Sequence, residues 1–411
     1  MVLLAAPYPA CAQDPAPEIA VRRIDPAVLD VLQRVPVQDG GRIKPLDTYA
    51  RFLLLRLHGR RSLRIEVAGQ PVTLNATEWL ATTLIYPEWA VHYPTFNIDN
   101  SDVVVAIGAD PHAKRRDRYS FAELYPARDR LMELATQYNA IGQKERSPHQ
   151  TMVLNLAANF ADFESLLQAF SFAREQIAVD PAQFLGIAPE VGDLRLSAYL
   201  RLLPAIRAQM AQATGRNAAD KVAAMTAQIG TVQQAMETAT FLALIPPADA
   251  AQPAWLSPGE VMHRAFMSGA ESVPEFKYLP LLEDVVDTRE SPPAFQRSVA
   301  TLARALEAAC TARGEYSKVG LEVRFYRMNP LFWALFGFLL SFLFMAFEWL
   351  APLTKNRMTA GVRIAARLAL AGATIALLAA ITLRCMIRGR PPVSTLYETI
   401  LFITEIGRAH V

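Results

Sequence analysis

The chain has 411 residues, with 41 Lys and Arg against 39 Asp and Glu for a formal net charge of +2, and 52% of its residues are hydrophobic. So even a charge balance gives no reason to expect nucleic acid as a partner. Mean hydropathy is positive at +0.16, high for a wholly soluble protein, and the apolar residues fall in blocks.

At the start, MVLLAAPYPACAQDPAPE pairs a short apolar stretch with the small-residue pattern Ala10-Cys11-Ala12. Residues 1–13 read as the apolar core and cleavage site of a secretory signal, without its usual basic leading region. Residues 14–327 then form an extracytoplasmic domain, long enough to bury a sizeable core. In it, VPVQDGGRIKPLDTYARFLLLRLHG joins a turn at Asp39-Gly40-Gly41 to an apolar stretch. Leu63 to Leu74 alternates like a strand pair around Gly69-Gln70, and Asp102 to Gly108 predicts another strand.

Helices dominate beyond that point. Ser120 with Glu123 and Ser257 with Glu260 are capping boxes, the second with Pro258 at the first helical position. Leu194 to Gln212 and Asn217 to Leu244 predict an antiparallel pair broken near Gly215, with Pro204 kinking or interrupting the first member. The fold class is therefore α+β, with a mainly helical exterior domain followed by transmembrane helices.

Two spans are complete and a third is begun. Residues 328–350 contain PLFWALFGFLLSFLFMAFEWL, whose one ionisable residue is Glu348 near its end. As a helix it rises about 30 Å, the thickness of a bilayer's hydrocarbon core. Residues 351–363 form a connector, and 364–387 hold the second span, extended by snorkelling of Arg367 and Arg384 at the ends of its apolar run. Lys355, Arg357, Arg363 and Arg367 place the connector in the cytoplasm. Arg384, Arg388 and Arg390 at the far end weaken that contrast, but the export signal agrees with it. Residues 388–394 make an external elbow, and Thr395 with Glu398 caps the start of a third span over 395–404.

No phosphate-cradling loop, nucleophile elbow, HExxH, CxxC pair or CxxCH is present in the sequence. His58, His92, His112, His149 and His263 are scattered through the exterior region and read first as solvated or structurally bonded. Tyr86, Trp89, His92, Tyr93 and Phe96 would serve either as core or as the lining of a flat apolar cofactor. Cys310 is the one cysteine of the mature exterior region, so no disulfide forms within it.

GRPPVSTLYETILF, from Gly389 onward, resembles the GRPPVTNLYES-type segment of System II cytochrome c biogenesis proteins, the haem-handling CcsA or fused CcsBA synthases. QDGGRIKPLDTYAR, Gln38 to Arg51, resembles a segment of the exterior region in the fused members. The matching motif positions are Gly389, Arg390, Pro391, Pro392, Leu396, Tyr397 and Glu398. The resemblance implies a bacterial inner-membrane protein with its large N-terminal domain on the periplasmic side, haem as cofactor, and apocytochrome c as partner alongside the lipid bilayer and other biogenesis subunits. Such a protein holds haem for thioether formation with reduced CxxCH thiols, using a Trp-rich external loop and span histidines that this sequence lacks. The chain is accordingly expected to be a front portion of such a synthase. Glu405 to Val411, EIGRAHV, matches the translation of a common sequencing-library adapter, so 405–411 are set aside as artefact. Arg384, Arg388 and Arg390 are candidates to hold haem propionates, because guanidinium forks suit carboxylates; interfacial anchoring is the simpler role. A membrane-anchored extracytoplasmic sensor or binding module is the alternative function, and a transporter would need more spans.

Overall fold

The structure, a computed structural model, describes residues 21–67, 69–114, 116–178, 193–212, 218–350 and 357–389. The expected signal over 1–13, the third span and its capping box lie outside these residues. Among the described residues the chain is mostly helical, and its strands pair as four two-stranded antiparallel ladders. They divide into two compact units. One comprises Met1–Leu32 and Tyr49–Leu306, the other Gln33–Thr48 and Glu307–Val411.

Helix α1 (Pro26–Leu32) is followed by strands β1 (Pro36–Asp39) and β2 (Arg42–Pro45), which form a hairpin, and by α2 (Leu46–His58). The hairpin turns on Gly40 and Gly41, with φ of 56° and 75°. Two left-handed residues in a row give the turn whose twist matches antiparallel strands, and glycine adopts them without strain. Strands β3 (Ser62–Val67) and β4 (Gln70–Asn75) form the expected pair. Next come α3 (Ala76–Ile85), α4 (Pro87–Ala90) and β5 (Phe96–Ile98).

Residues 102–108, read from the sequence as a strand, belong instead to helix α5 (Ser101–Ile107) and its C-cap Gly108. The reason is capping at both ends. The Asn100 side chain accepts from the Asp102 amide, and Gly108 closes the helix at φ 79°. Within it Val103, Val104 and Ile107 are buried, a helical spacing hidden inside a β-branched run.

Strand β6 (Asp117–Tyr119) pairs with β5, and α6 (Phe121–Leu124) carries the Ser120/Glu123 capping box. Helices α7 (Arg128–Asn139) and α8 (Pro148–Gln168) follow, then α9 (Ser171–Arg174). The core of this unit stacks Phe121 on Phe160 with centroids 4.7 Å apart and sets Phe96 edge-on to Phe163 at 5.4 Å, with Trp79 beside Phe163. Strands β7 (Gln176–Ala178) and β8 (Asp193–Arg195) lead to α10 (Leu196–Gln212) and α11 (Ala218–Thr238). Of the expected kink or interruption at Pro204, the interruption does not occur: helix α10 runs on past it. The ring removes one backbone bond, but buried Leu203 and Ile206 on either side hold the helix against its neighbours. Helix α11 stops at Thr238, short of Leu244. Helix α12 (Pro258–Ser268) has its full capping box at Ser257, and α13 (Tyr278–Asp287) and α14 (Pro292–Ala312) complete the run.

In the second unit α15 (Val319–Met328) ends at Asn329, which takes the left-handed conformation at φ 44°, and Pro330 opens α16 (Pro330–Leu350). Helix α17 (Arg357–Arg388) begins inside the stretch read as connector, because its first turns hold residues compatible with a helix and no proline. Helices α16 and α17 are long and apolar enough to cross a membrane, and only 11% and 22% of their most apolar windows is buried. Ala366, Ala373 and Ala380 recur every seven residues among the buried side chains of α17, and Ala334 and Ser341 are buried on α16. A seven-residue repeat of small side chains lets two helices approach closely in a left-handed wrap. Gly337 shows how close: a Cβ there would lie 2.9 Å from that of Ala373. The Ser341 hydroxyl donates to the Ala366 carbonyl at 3.0 Å, satisfying a polar group inside the contact.

Candidate functional site

The residues singled out from the sequence meet in the second unit, around α15. The β1–β2 hairpin packs on that helix through β2. Arg42, just past the glycine turn, donates from both terminal guanidinium nitrogens to the two carboxylate oxygens of Glu322, each at 2.8 Å. Glu322 is 1% exposed, so its charge is removed from water and compensated by a two-point pair. Lys44 forms an ion pair with Asp39 across the turn.

The other end of the site is the last turn of α17. Phe325 of α15 is buried against Ala380 and Ile387, with Leu321, Tyr326, Leu331 and Leu383 packed around them. Arg384 and Arg388, one turn apart and both half-buried, flank Ile387 of this cluster in sequence. Gly389 follows in the left-handed conformation, φ 63°, and its amide donates to the Cys385 carbonyl at 2.8 Å, closing the helix. A Cβ on Gly389 would lie 3.3 Å from the Lys318 ammonium. Lys318 therefore stands at the carbonyl end of α17, where the helix dipole favours a cation.

The structure thus brings Gly389, at the end of the helix that carries Arg384 and Arg388, against Lys318, which sequence reasoning missed. Lys318 lies some seventy positions away in an ordinary polar stretch, and only the docking of α15 on α17 gives it a role. Glu322 was missed for the same reason. Arg390, Pro391, Pro392, Leu396, Tyr397 and Glu398 lie outside the described residues.

The exterior histidines do not converge, and among the described residues no group of three or more His, Cys, Asp or Glu side chains is placed to hold a metal ion. His58 is buried, and desolvation, with Arg118 nearby, lowers its pKa to about 4, so the ring is neutral near pH 7. His112 lies between Asp117 at 3.2 Å and Glu123 at 3.1 Å and stacks on Tyr119. The aromatic cluster is core: Tyr86, Tyr93 and Phe96 are buried, and the Tyr86 hydroxyl donates to the Arg289 carbonyl at 2.6 Å. Cys310 is buried, and burial with Glu315 nearby raises its thiol to about 12. What the second unit offers chemically is Lys318 at the carbonyl end of α17, whose last turns carry Arg384 and Arg388, beside the apolar layer around Phe325. No family model matches the chain, and no curated protein matches it.

Proposed function

We propose that this chain works in cytochrome c maturation as a membrane protein of the System II type. In this reading α16 and α17 cross the bacterial inner membrane, the first unit lies on the periplasmic side, and the end of α17 faces the same side. Haem is the cofactor, with Arg384, Arg388 and Arg390 holding its propionates, and apocytochrome c is the partner that receives it. Haem supplies the reactive vinyl groups; the chain's own residues contribute charge and position.

One observation carries the reading. The two segments on which the resemblance rests are more than three hundred residues apart in sequence, yet the hairpin of the first and Gly389 of the second both lie against α15 and its N-terminal cap. Gly389 is the described residue of the second segment, and its neighbour Lys318 is the N-cap of α15. A reporter enzyme active only outside the cytoplasm, fused after Pro392, tests the topology: activity is expected, and a fusion active solely as a cytoplasmic reporter overturns it. Replacing Arg384, Arg388 and Arg390 together with Gln, in a correctly inserted protein, should lower the haem retained on purification. Unchanged occupancy removes the propionate role.

A further inference from the structure

A cavity of about 540 Å³ opens in the first unit and is lined from α2, β5, α5 and α8. Phe96, Asn97, Ile98 and Asp99 all contribute to its wall. Successive side chains of a strand alternate between faces, so four consecutive residues line one cavity only along an edge. Among the described residues strand β5 pairs with β6 alone, and no other backbone hydrogen bond of Phe96–Ile98 is made. Among these residues the edge facing the cavity is therefore unpaired, a state that folded proteins cover or use.

The same cavity is lined by Asn155, which is exposed, and half-buried Asn159, one helical turn apart on α8, and neither carboxamide has a hydrogen-bond partner among the described residues. Each offers one acceptor and two donor hydrogens, the complement of a peptide group. The floor is apolar: Leu57, Val103 and Leu156 are buried, and Met152 forms a 39% exposed lip. The charges at the rim are already matched. Arg56 pairs with Asp162 at 2.6 Å, and Asp99 pairs with Arg116 at 2.7 Å and accepts from Asn97 at 3.0 Å.

We propose that this groove binds a short extended segment of another polypeptide, which adds a strand to β5, meets the two carboxamides with its backbone, and sets uncharged side chains on the apolar floor. A charged ligand finds no free counter-charge at the rim, whereas an extended peptide backbone matches both the open edge and the paired amides. This inference does not depend on the haem reading.

The test uses the full chain in detergent and a fluorescein-labelled, acetylated and amidated pentapeptide alternating threonine and valine, followed by fluorescence anisotropy. Two isomers, N-methylated either at the valine amides or at the inner threonine amides, block alternate edges of the peptide strand. Binding of the parent is expected, with one isomer at least about tenfold weaker and the other unchanged, since only one set of amides faces β5. The Asn155→Ala, Asn159→Ala double variant should weaken the parent by about tenfold, two net hydrogen bonds, with its thermal unfolding unchanged. Absence of binding, equal behaviour of the two isomers, or full affinity in the double variant overturns the proposal. So does concentration-dependent dimerisation in light scattering that the peptide leaves intact, which would assign the edge to a second copy.

Discussion

Replacing Arg42 with Ala isolates what holds the hairpin to α15. The two guanidinium bonds, each 2.8 Å, are the hydrogen bonds that reach the Glu322 carboxylate among the described residues, and that carboxylate is 1% exposed. Truncating one partner of a buried pair leaves an uncompensated charge and costs about 3–5 kcal/mol, more than the intact pair contributes relative to apolar residues. At about 1.4 kcal/mol per tenfold, the lower figure corresponds to roughly two orders of magnitude in local opening. Hydrogen exchange read by mass spectrometry on peptides covering Pro36–Pro45 measures it. The double variant Arg42→Met, Glu322→Leu removes both charges while keeping volume, and should recover most of the protection. If the single and double variants exchange alike, or Arg42→Ala exchanges as the wild type does, the ion pair is not what docks the hairpin.

Three further outcomes follow from the packing and the titrating groups. Gly259→Ala should destabilise the first unit strongly, because its Cβ would fall 2.2 Å from the Met236 carbonyl oxygen, whereas Gly230→Ala, with open space around it inside α11, should stabilise by about 0.5–1 kcal/mol; paired thermal melts separate them. His58, held down to about 4 by burial, is neutral when folded but protonates at about 6.5 when unfolded, so its contribution is complete above pH 6.5 and is lost as the pH falls toward 4, reaching about 3 kcal/mol. A His58→Gln variant should show a flatter acid limb, and an NMR titration placing the His58 midpoint near 6.5 in the folded protein would falsify this. Cys310, buried with its thiol raised to about 12, should resist maleimide at pH 8 until the protein is denatured, as peptide mapping will show; native labelling contradicts the burial.

Features governed by neighbouring residues were legible in the sequence. The Gly40-Gly41 turn, the boxes at Ser120 and Ser257 and the apolar run from Pro330 are each set within a few positions, and the structure has all of them. Residues 102–108 misled because three consecutive valines carry strand propensity, while the deciding information sat in the Asn100 and Gly108 caps. Pro204 does not end its helix, since a local penalty was outweighed by buried neighbours. The site was half legible. Arg384 and Arg388 stood out beside a long apolar run, but Lys318 and Glu322 gain their roles only from the way α15 docks, which no local pattern encodes.

Asn329 is the one non-glycine residue with positive φ among the described residues, and it sits between α15 and α16. A continuous helix would transmit any tilt of its apolar half into the polar half as a rigid rod. The left-handed residue breaks the axial hydrogen-bond ladder at that point, so α15 and α16 do not form one rod. The orientation of α15 is then governed sideways, by the Arg42 fork on one flank and the Phe325–Ile387 contact on another, rather than by the backbone that precedes the apolar run.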